Sequence, residues 1–294
     1  MKRKDFIGHV SWTGAGIAWT LSASGLLTAH ASAADAQSGF TFVQISDSHI
    51  GFNRPENPDV VGTLRKTVAA INARRVQPAF VVHTGDITHL SKAEQFDTAK
   101  AVLSKLKAPV IYLPGEHDVI GTPEQYFNFF SRRDAKDGWF SFDQGGAHFV
   151  SLVNVFNFEK MGLMGQKQLD WLAADLAAQK ASTPIVVFAH VPLYALYPQW
   201  GWTTEDGAQA LAMMRRFERV TVLSGHIHQI IQHTDGNIRF ATANSTAYPQ
   251  PAPGTASKPG PLQVPPNQLL GVIGYRTVQL DRRGEGAIAD HALG

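Results

Sequence analysis

From residue 40 onward the chain alternates short runs of β-branched and aromatic residues with longer segments of helical period. No other feature restricts the fold as tightly. FTFVQIS (40–46), AFVVH (79–83), PVIYL (109–113), HFVSLV (148–153), PIVVFA (184–189) and VTVLS (220–224) are long enough for strands and too short for helices. Several are apolar at successive positions, the pattern of a strand covered on both faces. Between them, Val60, Leu64, Val68 and Ile71 share one face of a helix over 60–76. Phe96, Ala99, Val102 and Leu106 do the same over 92–107, and Leu169, Leu172, Ala173 and Leu176 over 166–179. Strand and helix in series predict an α/β fold with helices packed on sheet. RFATANS and GYRTVQL follow as strands without a helix between them. Residues 249–266, PQPAPGTASKPGPLQVPP, hold too much proline for regular structure and are expected to form a loop beside the active site.

Residues 1–36 have a basic start, a mildly apolar middle and the small-residue segment Ala31-Ser32-Ala33, the layout of an export signal. Arg3-Lys4-Asp5-Phe6-Ile7 is close to a twin-arginine pattern, which implies a periplasmic or secreted product. The alternative is an uncleaved anchor, because Val10 to Leu27 could nearly span a bilayer; its Gly, Ser and Thr content argues against a stable membrane span in the mature form. Residues 37–294 then make one domain. A net charge of +2 supplies no overall field for a nucleic-acid polymer. With no cysteine and 12 histidines, any metal must be held by nitrogen and oxygen.

In open α/β sheets ligands bind beyond the C-terminal ends of the strands. Here those ends carry Asp47-Ser48-His49, Gly85-Asp86, Gly115-Glu116-His117-Asp118, His190 and Gly225-His226-Ile227-His228. A single Gly-Asp pair is ordinarily a turn, and a lone His is more often core than ligand. Five successive strand exits of this kind are another matter. Carboxylates converging without counter-ions would repel one another, so the set calls for cations. Asp47 and His49, at i and i+2 of an extended segment, are expected to share a side and reach one ion. Gly85 and Gly225 permit sharp turns and close backbone approach.

Asp-x-His, Gly-Asp, Gly-x-His-Asp, His and Gly-His-x-His in this order resemble the calcineurin-like metallophosphoesterase family, in particular its bacterial cyclic-nucleotide phosphodiesterase members. The resemblance implies a four-layer αββα sandwich and two metal ions, Fe, Mn or Zn. It places Asp47, His49 and His228 on one ion, Glu116, His190 and His226 on the other, and Asp86 between them. A hydroxide shared by the ions would attack the phosphorus of a small phosphate ester. His117 matches the acid that protonates the leaving group, and Asp118 the residue that orients its imidazole.

The chain departs from the family at Glu116, where Asn is usual. Two divalent ions with Asp47, Asp86, Glu116 and a hydroxide are neutral overall, so a trivalent ion is expected at one position, most simply in an iron-containing pair. Alternatively Glu116 turns away to a basic neighbour, leaving a weakened site. His89 stands where Asp or Asn is common and is a substrate contact, an outer partner of a ligand or a surface residue. Asn53 and Arg54 are candidates for phosphate contact. Tyr194, Tyr197, Trp200 and Trp202 form either an aromatic substrate wall or a small core of their own loop. His83, His148, His233 and His291 are read as structural or exposed. The functions left open are a phosphodiesterase, a phosphomonoesterase of the same fold, and a metal-binding protein that no longer turns over.

Overall fold

A computed structural model describes residues 17–21, 27–31, 39–130, 136–281, 284 and 286–294. Met1–Gly39 and Phe40–Gly294 are separate compact units. In the first, β1 (Ile17–Leu21) and β2 (Leu27–Ala31) pair antiparallel, and most of residues 1–36, where an export signal is expected, lie outside the described residues. No described helix is long and apolar enough to cross a membrane.

The second unit holds two mixed sheets. β3 (Phe40–Ile45), β4 (Val81–His83) and β5 (Val110–Tyr112) run parallel. β12 (Gly274–Leu280) and β13 (Gly286–Ala292) extend the β3 edge in antiparallel register. In the other sheet β7 (Ala147–Ser151), β8 (Ile185–Ala189), β9 (Val220–Ser224) and β11 (Ile238–Thr242) are parallel. β6 (Phe140–Gln144) and β10 (Gln232–Asp235) close its edges antiparallel.

The two-residue period of each strand sorts its apolar side chains between two cores. Phe42, Val82, Phe149, Val186, Phe188 and Leu223 meet between the sheets, where Phe42 stacks on Phe80 at 5.0 Å and meets Phe188 edge-on at 5.8 Å. The intervening residues Val43, Ile45 and Val81 turn outward to α1 (Val60–Asn72), α2 (Ala93–Leu103) and α3 (Glu124–Phe130). Val150, Ile185, Val187, Val220 and Val222 turn to α4 (Gln166–Ala177) and α5 (Gly207–Met214). The result is the expected αββα layering, with both faces of each sheet covered.

Element ends differ from the sequence reading. α1 stops at Asn72 rather than 76, since Asn72 spends its side chain on the Lys105 carbonyl (2.8 Å) and the Lys107 amide (3.0 Å). α2 stops at Leu103 and α4 at Ala177. α6 (Leu269–Val272), a single turn, follows the proline-containing loop, which has no regular structure.

A polar tie crosses between the sheets beneath their C-terminal ends. Arg276, fully buried, donates to Asp290 (2.8 Å) from Nε and to the Thr242 carbonyl (2.8 Å) from Nη2. Gln44 donates to Thr84 Oγ1 (3.1 Å) and to the Ser224 carbonyl (3.2 Å) of the opposite sheet. The strand ends that carry the polar residues are thereby held at a fixed separation.

Far from those ends, His148 bridges Asp143 (2.7 Å) and Asp175 (2.8 Å). Burial disfavours its protonated ring, but the hydrogen bonds to Asp175 and Asp143 outweigh that and hold its pKa above the ordinary imidazole value. Because the folded value is the higher one, the resulting stability is complete below an unfolded pKa of about 6.5 and is lost as pH rises through the folded value. Urea denaturation of wild type and His148→Gln should differ by roughly 2 kcal/mol near pH ~5.5, the gap narrowing by pH ~8.5. A gap independent of pH would show that the ring is held by packing alone.

Candidate metal centre

Three of the parallel strands, β3, β4 and β9, end in loops whose backbone is bent out of the extended region. Among the described residues, six non-glycine positions have left-handed φ; five of them are Asp47 (54°), His49 (42°), Asp86 (54°), His226 (69°) and His228 (52°). Asp47 and His49 therefore do not share a side by strand alternation, as their spacing suggested. β3 ends at Ile45, and the chain then runs beside residues 84–88, held by Asp47 N to Gly85 O (2.9 Å), His49 N to Asp86 O (2.9 Å) and Ile50 N to Ile87 O (3.0 Å). Such conformations cost roughly 1–3 kcal/mol each and persist where surrounding contacts impose them.

These turns bring together seven side chains from five loops. Asp47, His49 and His228 form one group, with His228 Nε2 3.1 Å from His49 Nε2 and 3.4 Å from Asp47 Oδ1. Glu116, His190 and His226 form a second, with Glu116 Oε2 2.8 Å from His190 Nε2 and Oε1 2.9 Å from His226 Nδ1. Asp86 lies between them, its Oδ2 3.5 Å from both His49 Nε2 and His190 Nε2. Glu116 thus faces the histidines and does not turn to a basic neighbour.

The second rings are oriented from behind. His190 Nδ1 donates to the Thr84 carbonyl (2.7 Å) and His228 Nδ1 to the Tyr248 carbonyl (2.7 Å), which leaves each Nε2 with a lone pair aimed into the cluster. His226 N donates to Asp47 (3.1 Å), and His117 N to Asp86 Oδ1 (2.9 Å). Glu116 Oε2, His190 Nε2 and His226 Nδ1 are buried, and among the described residues they find no polar partners beyond one another and Asp86. Donors closed off together from water can share protons or a common cation, and the mixed nitrogen and oxygen set suits a pair of borderline or hard cations.

Electrostatics agree. Burial opposes ionisation of Glu116, yet His226 and His190 hold its carboxyl well below the usual range. Burial likewise opposes protonation of His190, but Asp86 and Glu116 raise its pKa well above that of a free imidazole. Burial, assisted by His117 and His228, keeps His49 neutral and ready to ligate. In the metal-free chain, protons on imidazole compensate the carboxylates, so cations compete with protons here.

His117 sits beside this cluster on a 3-10 turn, Glu116–Asp118. Its Nδ1 donates to the His89 carbonyl (2.7 Å), and its ring stacks on that of His89 at 4.9 Å. Burial opposes its protonation, but Asp86 and then Glu116 raise its pKa, whereas burial and the His117 charge lower His89 to about 4. The proton of this pair belongs to His117. Asp118 does not hold the His117 ring, contrary to the role its position suggested. Its oxygens accept from Ile87 N (3.0 Å), Thr88 N (2.7 Å), Thr88 Oγ1 (2.9 Å) and Gly115 N (3.0 Å), pinning two loops together. The carbonyl of His89 does the orienting instead, a role that no side-chain pattern announces.

The cavity above the cluster has a volume of about 350 Å³. Arg54, His89, Trp200 and Trp202 line it, as do Gln250 and Pro259–Pro261 of the proline-containing loop. Asn53 is exposed and not on the cavity wall. Tyr194 is elsewhere too, packed on Phe240 at 4.6 Å and on His233 at 5.4 Å. Trp202 is buried against Trp200 at 5.0 Å, so the aromatic loop is both a small core and a wall. The sequence reading missed Phe52, Phe158, Lys160 and Tyr248; Tyr248 stacks on His49 at 5.0 Å. His83 is buried on Ser48 Oγ (2.9 Å), and burial lowers its pKa to about 3.

Comparison with known proteins points the same way. The model of the calcineurin-like phosphoesterase family matches residues 40–230. A 3',5'-cyclic-nucleotide phosphodiesterase of Nostoc sp. is 24% identical over 71% of this chain and 79% of its own length. A glycerophosphodiester phosphodiesterase of Enterobacter lignolyticus is 24% identical over 77% and 84%. In fold, the chain is similar to a dimetal phosphatase from Danio rerio, with TM-score 0.64 and 16% identity over 87% of this chain and 100% of that one.

A Cβ at Gly225 would lie 2.1 Å from Ser46 Oγ and 2.8 Å from Asp47 Oδ2. Gly225→Ala should therefore push Asp47 out of line and weaken Mn²⁺ binding at that half by about tenfold or more, as isothermal titration would show. Unchanged binding would mean that Asp47 is not a ligand.

Proposed function

The chain belongs to the calcineurin-like phosphoesterase family, a family of metal-dependent hydrolases of phosphate esters, and from that premise we propose that it cleaves phosphodiesters on a dinuclear centre. The buried convergence of Glu116, His190 and His226, joined through Asp86 to Asp47, His49 and His228, carries this reading. When bound, two such ions supply Lewis acidity and lower the pKa of water at the site. The chain's own residues do the rest. Arg54, on the cavity wall, offers a guanidinium to a phosphoryl oxygen. His117, with Nδ1 committed to the His89 carbonyl, keeps its Nε2 proton for the departing oxygen. Water adds to phosphorus, the P–O bond to the leaving group breaks, and that proton completes the alcohol.

Preference for diesters is supported by the activities of the two bacterial relatives. It is supported also by the apolar wall of Phe158, Trp200 and Trp202, which offers contact to a second ester group that a monoester lacks. The small-residue cleavage segment and basic start of residues 1–36 support export, by a twin-arginine-type route that would let the metals be loaded before transit.

Replacing the leaving-group acid separates this reading from a binding protein. His117→Ala should keep its metal and lose about 10²–10⁴-fold in kcat on a dialkyl diester such as glycerophosphocholine. On bis(4-nitrophenyl) phosphate, whose leaving group needs little protonation, the loss should be about tenfold at most. Equal losses on both would remove His117 from the proton transfer, and a wild type inactive on both would leave only metal binding.

Glu116 adds a third carboxylate and so favours an ion of higher charge, most simply iron, in the half it shares with His190 and His226. Natively purified protein should contain iron, and Glu116→Asn should lose that preference, both read by elemental analysis. Active enzyme holding only zinc or manganese would refute the assignment.

A further inference from the structure

A cavity of about 350 Å³ is near the lower end of ligand sites, with room for a phosphodiester and compact neighbouring groups but not for a long hydrocarbon chain. Its mouth is unusual. The large apolar side chains most exposed among the described residues are Val76, Leu90, Ile120, Ile230 and Leu262. Scattered singly, such residues are normal on a protein surface. Four of these adjoin the cavity wall in the chain. Leu90 follows His89, Ile120 comes three positions after His117, Ile230 two after His228, and Leu262 follows Pro261, and all four of those neighbours line the cavity. Their exposures are 45% for Leu90, 53% for Ile120, 42% for Ile230 and 41% for Leu262. They stand on four separate loops, each of which also supplies a residue of the cavity wall. Val76 alone lies away from the strand exits, in the connection after α1.

Cations accompany this rim. Arg54 and Lys160 line the cavity, and exposed Lys258 directly precedes Pro259 on its edge; Glu159 is an acidic counterweight on the same wall. Exposed aliphatic side chains interspersed with Lys and Arg form the kind of surface that rests on a lipid interface, with the apolar groups inserted and the cations at the phosphates.

We infer that the substrate is the phosphodiester of an amphiphile held in a lipid surface. The head group enters the cavity, its phosphate reaches the centre, and its hydrocarbon stays outside against Leu90, Ile120, Ile230 and Leu262. This rests on the phosphodiesterase reading above and narrows it. Water supplies the new P–O bond, one ester P–O bond breaks, and the products are an alcohol and a phosphomonoester, one of them still carrying the chains.

Dihexanoyl phosphatidylglycerol, which passes from monomer to micelle, is a suitable probe for the metal-loaded full-length protein. Its rate of hydrolysis should rise at least about fivefold on crossing the critical micelle concentration. Ile230→Ser/Leu262→Ser should abolish the rise and weaken cosedimentation with phosphatidylglycerol vesicles about tenfold, at an unchanged melting temperature. Its turnover of bis(4-nitrophenyl) phosphate should stay within about twofold of wild type. Leu90→Ser/Ile120→Ser, on other loops, provides the same readout should the first pair fail to fold. The inference is overturned by a rate that does not respond to micelles, by a rise that both variants keep, or by a lipid-free dimer that the variants dissociate, which would make the rim a subunit contact. Failure on lipid with intact bis(4-nitrophenyl) phosphate turnover rejects this inference alone. Failure on both substrates rejects the phosphodiesterase reading with it.

Discussion

Asp47, Asp86 and Glu116 bring three carboxylates into a space where two of them are almost closed to water. Uncompensated, that arrangement would be far too costly to fold. The compensation is local. Four imidazoles from His49, His190, His226 and His228 surround the carboxylates, and backbone amides of His117 and His226 donate to Asp86 and Asp47. Imidazole can meet the charge in two ways, by taking up protons or by sharing a metal ion. The raised pKa of His190 reflects the first, and the lone pairs fixed by the Thr84 and Tyr248 carbonyls prepare the second.

Much of the remaining structure serves to hold this cluster in place. Five left-handed residues in three loops turn five of the seven candidate ligands where extended strands could not, and strand pairing continued past the ends of β3 and β4 holds the first two of those loops. Gly85 and Gly225 belong to the same economy of space. At Gly85 a Cβ would lie 2.4 Å from His190 Nδ1, and at Gly225 one would meet Ser46 and Asp47. Asp118 clamps the Gly115 turn to residues 87 and 88, so the loop carrying Glu116 and His117 cannot drift from the one carrying Asp86. Beneath them, Arg276 and Gln44 fix the distance between the two sheets.

The elements legible in the sequence were those whose burial leaves a pattern. β3, β8, β9 and β12 are apolar on alternate or successive positions because both faces are covered, and α1, α2 and α4 each bury one stripe. β10 and β13 escaped notice for the opposite reason. All four residues of β10 are exposed, and β13 alternates between partial burial and exposure at an edge, so neighbouring strands rather than their own side chains define them. α5 was passed over because Gly207–Met214 is short and nearly continuous in small apolar residues, which marks no face clearly.

At the site, residue type and order were enough to single out the seven donors that the fold brings together, because oxygen and nitrogen donors at successive strand exits can be gathered at one end of such sheets. Glu116 could be read as ambiguous but not resolved, since its direction depends on where His190 and His226 lie. Likewise Asp118 and Tyr194 were chemically plausible in the roles their positions suggested, yet the fold points them elsewhere. The sequence by itself determined which groups can carry charge and where chain order delivers them. Only the tertiary structure decided which of them face one another, because those contacts join loops up to about two hundred residues apart, through backbone carbonyls and left-handed turns that leave no trace in side-chain identity.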